Sequence, residues 1–312
     1  MRLLKYESNG EFSLTDFDSD SVPQYAVLSH TWGADHEEVN FRDLTEGTGK
    51  GKAGYRKLVF CKEQVRKDQL QGYFWVDTCC IDKSSSAELT ESINSMFRWY
   101  KEAEKCYVYL SDVTAQNSMG DGPSVTQEWM MAFHDSRWFT RGWTIQELIA
   151  PTHVEFFSAE GERLGDKDSL MHEIHSITGI NIQALEGSPL SQIGIDERMS
   201  WAQRRKTKRE EDMAYCLLGI FDISMPVIYG EGQRKAMARL RKEVQQSLGG
   251  QTPALTLPLR EDQSARNPVA VSNVPFNRDP DFIDRPSITT WIRDKFTAPV
   301  SRAALVGLGG VG

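Results

Sequence analysis

Tyr25-Ala26-Val27-Leu28-Ser29-His30-Thr31-Trp32-Gly33 is an apolar run that turns polar at Ser29 and then enters a loop carrying a glycine. Apolar side chains without alternation, followed by turn chemistry, are the pattern of a strand covered on both faces. Residues 73–82 repeat it, apolar as far as Asp77, and residues 106–111 and 153–158 supply two more such runs. Between the strands lie amphipathic stretches at 55–70, at 84–103 and near 125–135. In the second, Ser84 to Ser86 offer N-caps, Glu88 and Glu91 place acids in the first turns, and Ile93, Met96, Phe97 and Tyr100 form one apolar stripe. Strand and helix alternating in this way predict an α/β fold: a parallel sheet flanked by helices, doubly wound, with a short edge hairpin made by residues 3–4 and 12–14.

Ligands of such sheets sit beyond the carboxyl ends of the strands. That edge gathers Ser29, His30, Trp32 and Gly33 after the first strand, Asp77 and Cys79 after the second, and Ser111-Asp112 after the third. The stretch Arg141-Gly142-Trp143-Thr144-Ile145-Gln146-Glu147-Leu148-Ile149-Ala150-Pro151 completes it. Pro151 closes a short helix that starts near Gly142, and Trp143 and Glu147, four apart, share a face of it. A carboxylate held beside an indole on a buried element suits a catalytic group; the structural alternative is a Glu paired with Arg141 or capping a helix. Trp32 either stacks on a ligand ring or packs a loop, Asp77 either holds a sugar hydroxyl or caps the following helix, and Glu91 is a reserve carboxylate. Ser29 and His30 do not read as a nucleophile pair, because neighbours in an extended segment point oppositely. Cys79-Cys80 lacks a second pair at zinc spacing and His172 with His175 reads as a surface helix, so no metal site is expected.

A net charge of −8 argues against general nucleic-acid binding, and a hydrophobic content of 39% with eight Trp excludes wholesale disorder. There is no apolar run long enough to span a membrane and no signal peptide, and five Cys inside apolar segments read as reduced core residues; a cytoplasmic protein is the expectation. Residues 161–247 read as a helical extension of the α/β core at 1–160, with helices at 169–177, 200–221 and 231–247. The run from Arg204 to Arg209, followed at once by Glu210-Glu211-Asp212, reads as a salt-bridged helix face rather than an anion-binding patch. Residues 248–286 have linker composition. Within 287–312, Gly307 and Gly312 begin a phosphate loop without the Lys and Ser/Thr that would complete it, so no working nucleotide site is expected there.

Three blocks, YAVLSHTWG at 25–33, WVDTCCIDK at 75–83 and RGWTIQELIAP at 141–151, together with the DMAYCLLGIF stretch at 212–221 and the YGEG stretch at 229–232, resemble the fungal heterokaryon-incompatibility (HET) family. That resemblance implies a domain that triggers regulated cell death on recognition of non-self. The final residues resemble the entrance to the nucleotide-binding domain of NLR-type receptors, which implies self-association driven by regions beyond residue 312. Trp143-x-x-x-Glu147-Leu148, with the Ser29 loop, also resembles TIR domains. This likeness implies a TIR-like core and NAD as substrate rather than cofactor, with Glu147 catalytic and Ser29 and Trp32 in the substrate loop. A non-enzymatic death adaptor acting through oligomerisation is the alternative.

Overall fold

The computed structural model describes residues 1–115 and 124–249, all within one compact unit spanning Met1–Pro253. Gly307, Gly312 and the rest of the expected linker and phosphate-loop segment at 250–312 lie outside the described residues.

The chain opens with β1 (Arg2–Tyr6) and β2 (Phe12–Asp16), an antiparallel hairpin in register from Arg2 opposite Asp16 to Tyr6 opposite Phe12. Next come β3 (Tyr25–His30), α1 (Phe41–Thr45), α2 (Tyr55–Lys67), β4 (Tyr73–Trp75), α3 (Ser86–Glu102), β5 (Lys105–Tyr109), α4 (Ser124–His134), α5 (Thr144–Ile149), β6 (Val154–Phe157) and β7 (Arg163–Asp166). The remaining helices are α6 (Met171–Thr178), α7 (Ile182–Leu185), α8 (Ile195–Ser200), α9 (Asp212–Tyr215), α10 (Leu218–Phe221) and α11 (Gln233–Gly249).

One seven-stranded sheet runs in the order β2-β1-β4-β3-β5-β6-β7. Its four central strands are parallel, and antiparallel pairs close both edges. The expected α/β sheet flanked by helices is therefore what the chain forms. Counting only the parallel strands, the order is second, first, third, fourth, so the direction of winding reverses between β3 and β5. In a doubly wound sheet that switch point opens the crevice where ligands bind. The registers pairing Ser29 with Val108 and His30 with Tyr109 bring the end of β3 to that point.

Three expectations need correction. The second strand is three residues long, not ten: after Trp75 the chain turns through Asp77, Thr78 and Cys79. Its apolar character continues because that turn is itself packed into the core, where Val76, Cys79 and Cys80 are buried. The helix expected at 200–221 is broken: residues 201–211 are turns and an isolated bridge joins Lys206 to Arg141, so the basic run from Arg204 is not a helix face. Strand β7, which covers the far edge, was not foreseen, since Arg163-Leu164-Gly165-Asp166 carries almost no apolar signal.

A buried carboxyl pair at the switch point of the sheet

Ser29 and His30 are adjacent in β3 and project to opposite faces of the sheet, as extended backbone requires. Each meets a buried glutamate. On one face the Ser29 hydroxyl donates to Glu147 Oε2, and Ser29 itself is fully buried. The indole N–H of Trp138, on a short 3-10 turn at Arg137–Thr140, donates to Ser29 Oγ at 2.7 Å. Cys106 Sγ of β5 contacts the Glu147 carbonyl at 3.6 Å and so ties the end of α5 to the sheet. No ion pair reaches Glu147 among the described residues, so the expected alternative of a pairing with Arg141 is not realised. Burial pushes the Glu147 carboxyl up to about 8; the Ser29 hydroxyl opposes this, Asp77 adds to it, and Arg141 and Arg205 oppose it from further off. At neutral pH the buried group is therefore predominantly a neutral acid rather than the anion read from the sequence.

On the other face His30 Nε2 stands 3.7 Å from Glu38 Oε2. Lys57 of α2 forms an ion pair with Glu38 and also donates to the Thr31 carbonyl at 3.0 Å, and the Gly33 amide donates to Glu38 Oε1 at 2.6 Å. Burial alone would raise the Glu38 carboxyl, but His30, Lys57 and the Gly33 amide together hold it down at about 2. Gly54, just ahead of α2, makes the approach possible: a Cβ there would lie 2.8 Å from both the Glu37 carbonyl and Glu38 Oε2. The crevice lined by His30, Glu38, Lys57 and Thr78 has no room for a water molecule.

At the mouth of the edge, the half-buried Trp32 donates its N–H to Asp77 Oδ2 at 2.9 Å, and the Lys83 ammonium lies 3.8 Å from its ring centroid. Asp77 thus holds Trp32 rather than capping α3, whose N-cap is Ser85. Cys79 does not face the edge. It is fully buried, its thiol donates to the Val39 carbonyl at 3.1 Å, and burial raises it to about 12. Glu91 is exposed on α3, and no hydrogen bond or ion pair joins it to the cluster. Trp143, half-buried against the core, makes no side-chain hydrogen bond to Glu147 among the described residues, so the four-residue spacing does not pair them. The indole serving Glu147 is Trp138.

Residues C-terminal to the sheet wall in the Glu147 helix. Gln146 Nε2 donates to the Cys216 carbonyl at 2.8 Å, and the buried Arg205 donates to the Arg141 carbonyl at 2.9 Å and to Thr144 Oγ1 at 2.7 Å. Burial lowers the Arg205 guanidinium to about 10. Four members of this network were missed in the sequence: Glu38, Lys57, Trp138 and Arg205. Lys57 had a usable signal, because it shares the buried stripe of α2 with Cys61 and Gln64. Glu38, one of two adjacent loop acids, had none.

The heterokaryon incompatibility protein (HET) family model matches residues 25–128. Over 246 residues the chain is 56% identical to the vegetative incompatibility protein HET-E-1 of Podospora anserina, a stretch that covers 78% of this chain and 18% of that protein. The chain thus spans about a fifth of the length of the curated relative it matches. No solved structure matches it.

Proposed function

We infer, for a chain that carries a heterokaryon incompatibility (HET) domain, that it acts in vegetative incompatibility as a cell-death effector module, and that its chemistry is hydrolysis of NAD to nicotinamide and ADP-ribose at Glu147. The observation that carries the enzymatic part is a glutamate held by Ser29 at the winding reversal of a doubly wound sheet, with no ion pair to it among the described residues and its titration displaced to about 8. Strongly displaced carboxyls concentrate at reactive sites.

In the reaction the bond between ribosyl C1′ and the nicotinamide nitrogen breaks, and its electron pair neutralises the pyridinium as it leaves. Water captures the oxocarbenium-like ribosyl centre and one proton is released. Nicotinamide leaves neutral and needs no acid, so the enzyme's task is to place negative charge beside the developing cation. While Glu147 is buried, desolvation favours its neutral form, which in this reading is the inactive one. Because desolvation is the main cause of its raised titration, an opening that hydrates it returns it toward the ordinary carboxylate range and supplies that charge. We assign the opening to self-association in the cytoplasm, of the kind an NLR-type receptor would drive.

The test is nicotinamide release by the full chain under crowding. Gln has the shape and neutrality of the buried acid but cannot ionise, so at neutral pH Glu147→Gln is expected to fold with an unfolding midpoint at or above that of wild type while release falls by about 10²–10⁴. A folded Glu147→Gln protein that released nicotinamide at the wild-type rate would sink the assignment.

One observation favours the adaptor reading: neither of the two clefts described, the crevice at Glu38 and a larger groove beside the start of α11, borders Glu147. That reading predicts clustering and cell death with no nicotinamide release.

A further inference from the structure

We propose that Trp138 is a positioning residue for Glu147, acting through Ser29 by fixing which way the serine proton points. The inference rests on the reading of Glu147 as the reacting carboxyl. Trp138 is fully buried, its indole N–H reaches Ser29 Oγ at 2.7 Å, and the Ser29 hydroxyl in turn reaches Glu147 Oε2. An indole N–H can only donate. It therefore fills one of the two acceptor lone pairs of Ser29 Oγ and biases the hydroxyl toward donating, and the acceptor recorded for the serine proton is Glu147. The three groups form a one-way chain from N–H to O–H to carboxyl, and each bond polarises the next.

The placement of Trp138 is over-determined. Its ring packs edge-on against Phe139 and Phe156 with centroids 5.0 and 5.7 Å away, and Ser136 Oγ caps its backbone amide at 3.3 Å. The Thr144 hydroxyl, itself held by Arg205, donates to the Trp138 carbonyl at 2.8 Å. Packing alone needs no N–H at this position, because a phenyl ring fills most of the same space. The N–H is therefore the part of Trp138 whose effect runs through Ser29.

The chemical consequence has a sign. With the indole in place, Ser29 donates to Glu147 and favours its ionised form. Without it, the serine hydroxyl is free to turn and accept from the protonated acid, which favours the neutral form. Trp138→Phe should move the Glu147 titration to higher pH. In the NAD reaction it should lower kcat by about tenfold or more with little change in KM, and carry the rising limb of the pH–rate profile to higher pH.

Two arms test this on the full chain. In the first, nicotinamide release under crowding is measured for wild type, Trp138→Phe, Ser29→Ala and the double variant. If Trp138 acts through Ser29, the double variant is no slower than Ser29→Ala alone; independent, multiplying losses overturn the proposal. In the second, the infrared band of the Glu147 carboxyl is titrated, with Glu147→Gln as the subtraction, a readout that needs no turnover. Trp138→Phe shifting the titration upward in the wild-type background but adding nothing in the Ser29→Ala background supports the chain, whereas an unshifted titration in the wild-type background overturns it. If no variant including wild type releases nicotinamide, the enzymatic reading fails while the titration still decides the role of Trp138. If Trp138→Phe does not fold, the titration of Ser29→Ala decides instead: an unshifted Glu147 overturns the proposal.

Discussion

Glu38 and Glu147 lie on opposite faces of one sheet, at the end of the same strand, and are almost equally hidden, 7% and 5% exposed. One is held at about 2 and the other at about 8. Burial acts on both in the same direction, so burial is not what separates them. Glu38 has an ammonium, an imidazole and a backbone amide turned toward it; Glu147 has a hydroxyl. The first arrangement is a structural anchor that locks the Trp32 loop to α2. The second leaves a carboxyl uncompensated, which costs stability unless the group stays protonated, and proteins tolerate that where they use it. Within this one edge, counter-charge distinguishes an anchor from a candidate reactive group.

The largest expected effect is on the pH dependence of folding. A carboxyl whose folded titration is raised contributes stability that is fully present below its ordinary value of 4.5 and is lost as pH climbs toward about 8. For Glu147 that loss amounts to about 5 kcal/mol at most, at roughly 1.4 kcal/mol per pH unit of displacement. For Glu38 the sign reverses: stability is present above 4.5 and lost as pH falls toward about 2. Denaturant unfolding from pH 3 to 9 should give a maximum near pH 5. Glu147→Gln should flatten the alkaline side and Glu38→Gln the acid side; a Glu147→Gln curve that keeps the full alkaline decline breaks the comparison.

Next in size, Lys57→Met removes the ammonium but keeps an apolar stem of similar length. It leaves a buried anion short of its main cation and should destabilise the chain by about 3–5 kcal/mol at neutral pH. The Glu38 titration should move upward toward that of Glu147, which converts one site electrostatically into the other. Carboxyl NMR titration checks this, and an unmoved Glu38 would mean that the Gly33 amide and His30 suffice. Smaller still, Ser29→Ala leaves the Trp138 N–H and Glu147 without their shared partner. It should cost about 1–3 kcal/mol and raise the Glu147 titration further, with the Glu38 side unchanged. A change at Glu38 in that variant would show that the two faces are coupled through β3.

Much of the fold was legible because it depends on local pattern. The apolar runs at 25–30 and 106–109, the serine cap ahead of α3 and the proline after α5 each state their element within a few residues. Failures came where tertiary packing overrode local pattern. The apolar stretch after Trp75 is a turn buried under neighbouring elements, and the break at 201–211 exists because Arg205 and Lys206 bond to the backbone of residues 140–142 rather than to a helix. The alternation of β3 already required Ser29 and His30 to face opposite ways. It could not say what each would meet.

The sequence by itself determined the parallel sheet and the edge at which polar residues collect. Only the tertiary structure decided that Ser29 stands between the Trp138 indole and Glu147, that Glu38 and Lys57 form a second buried group on the opposite face, and that burial raises the Glu147 carboxyl. The physical reason is range. Periodicity and capping act over a few residues and are written locally, whereas the charge on a buried carboxyl also depends on groups such as Ser29 for Glu147 and Lys57 for Glu38, 118 and 19 residues away, that come within a few ångströms only after folding.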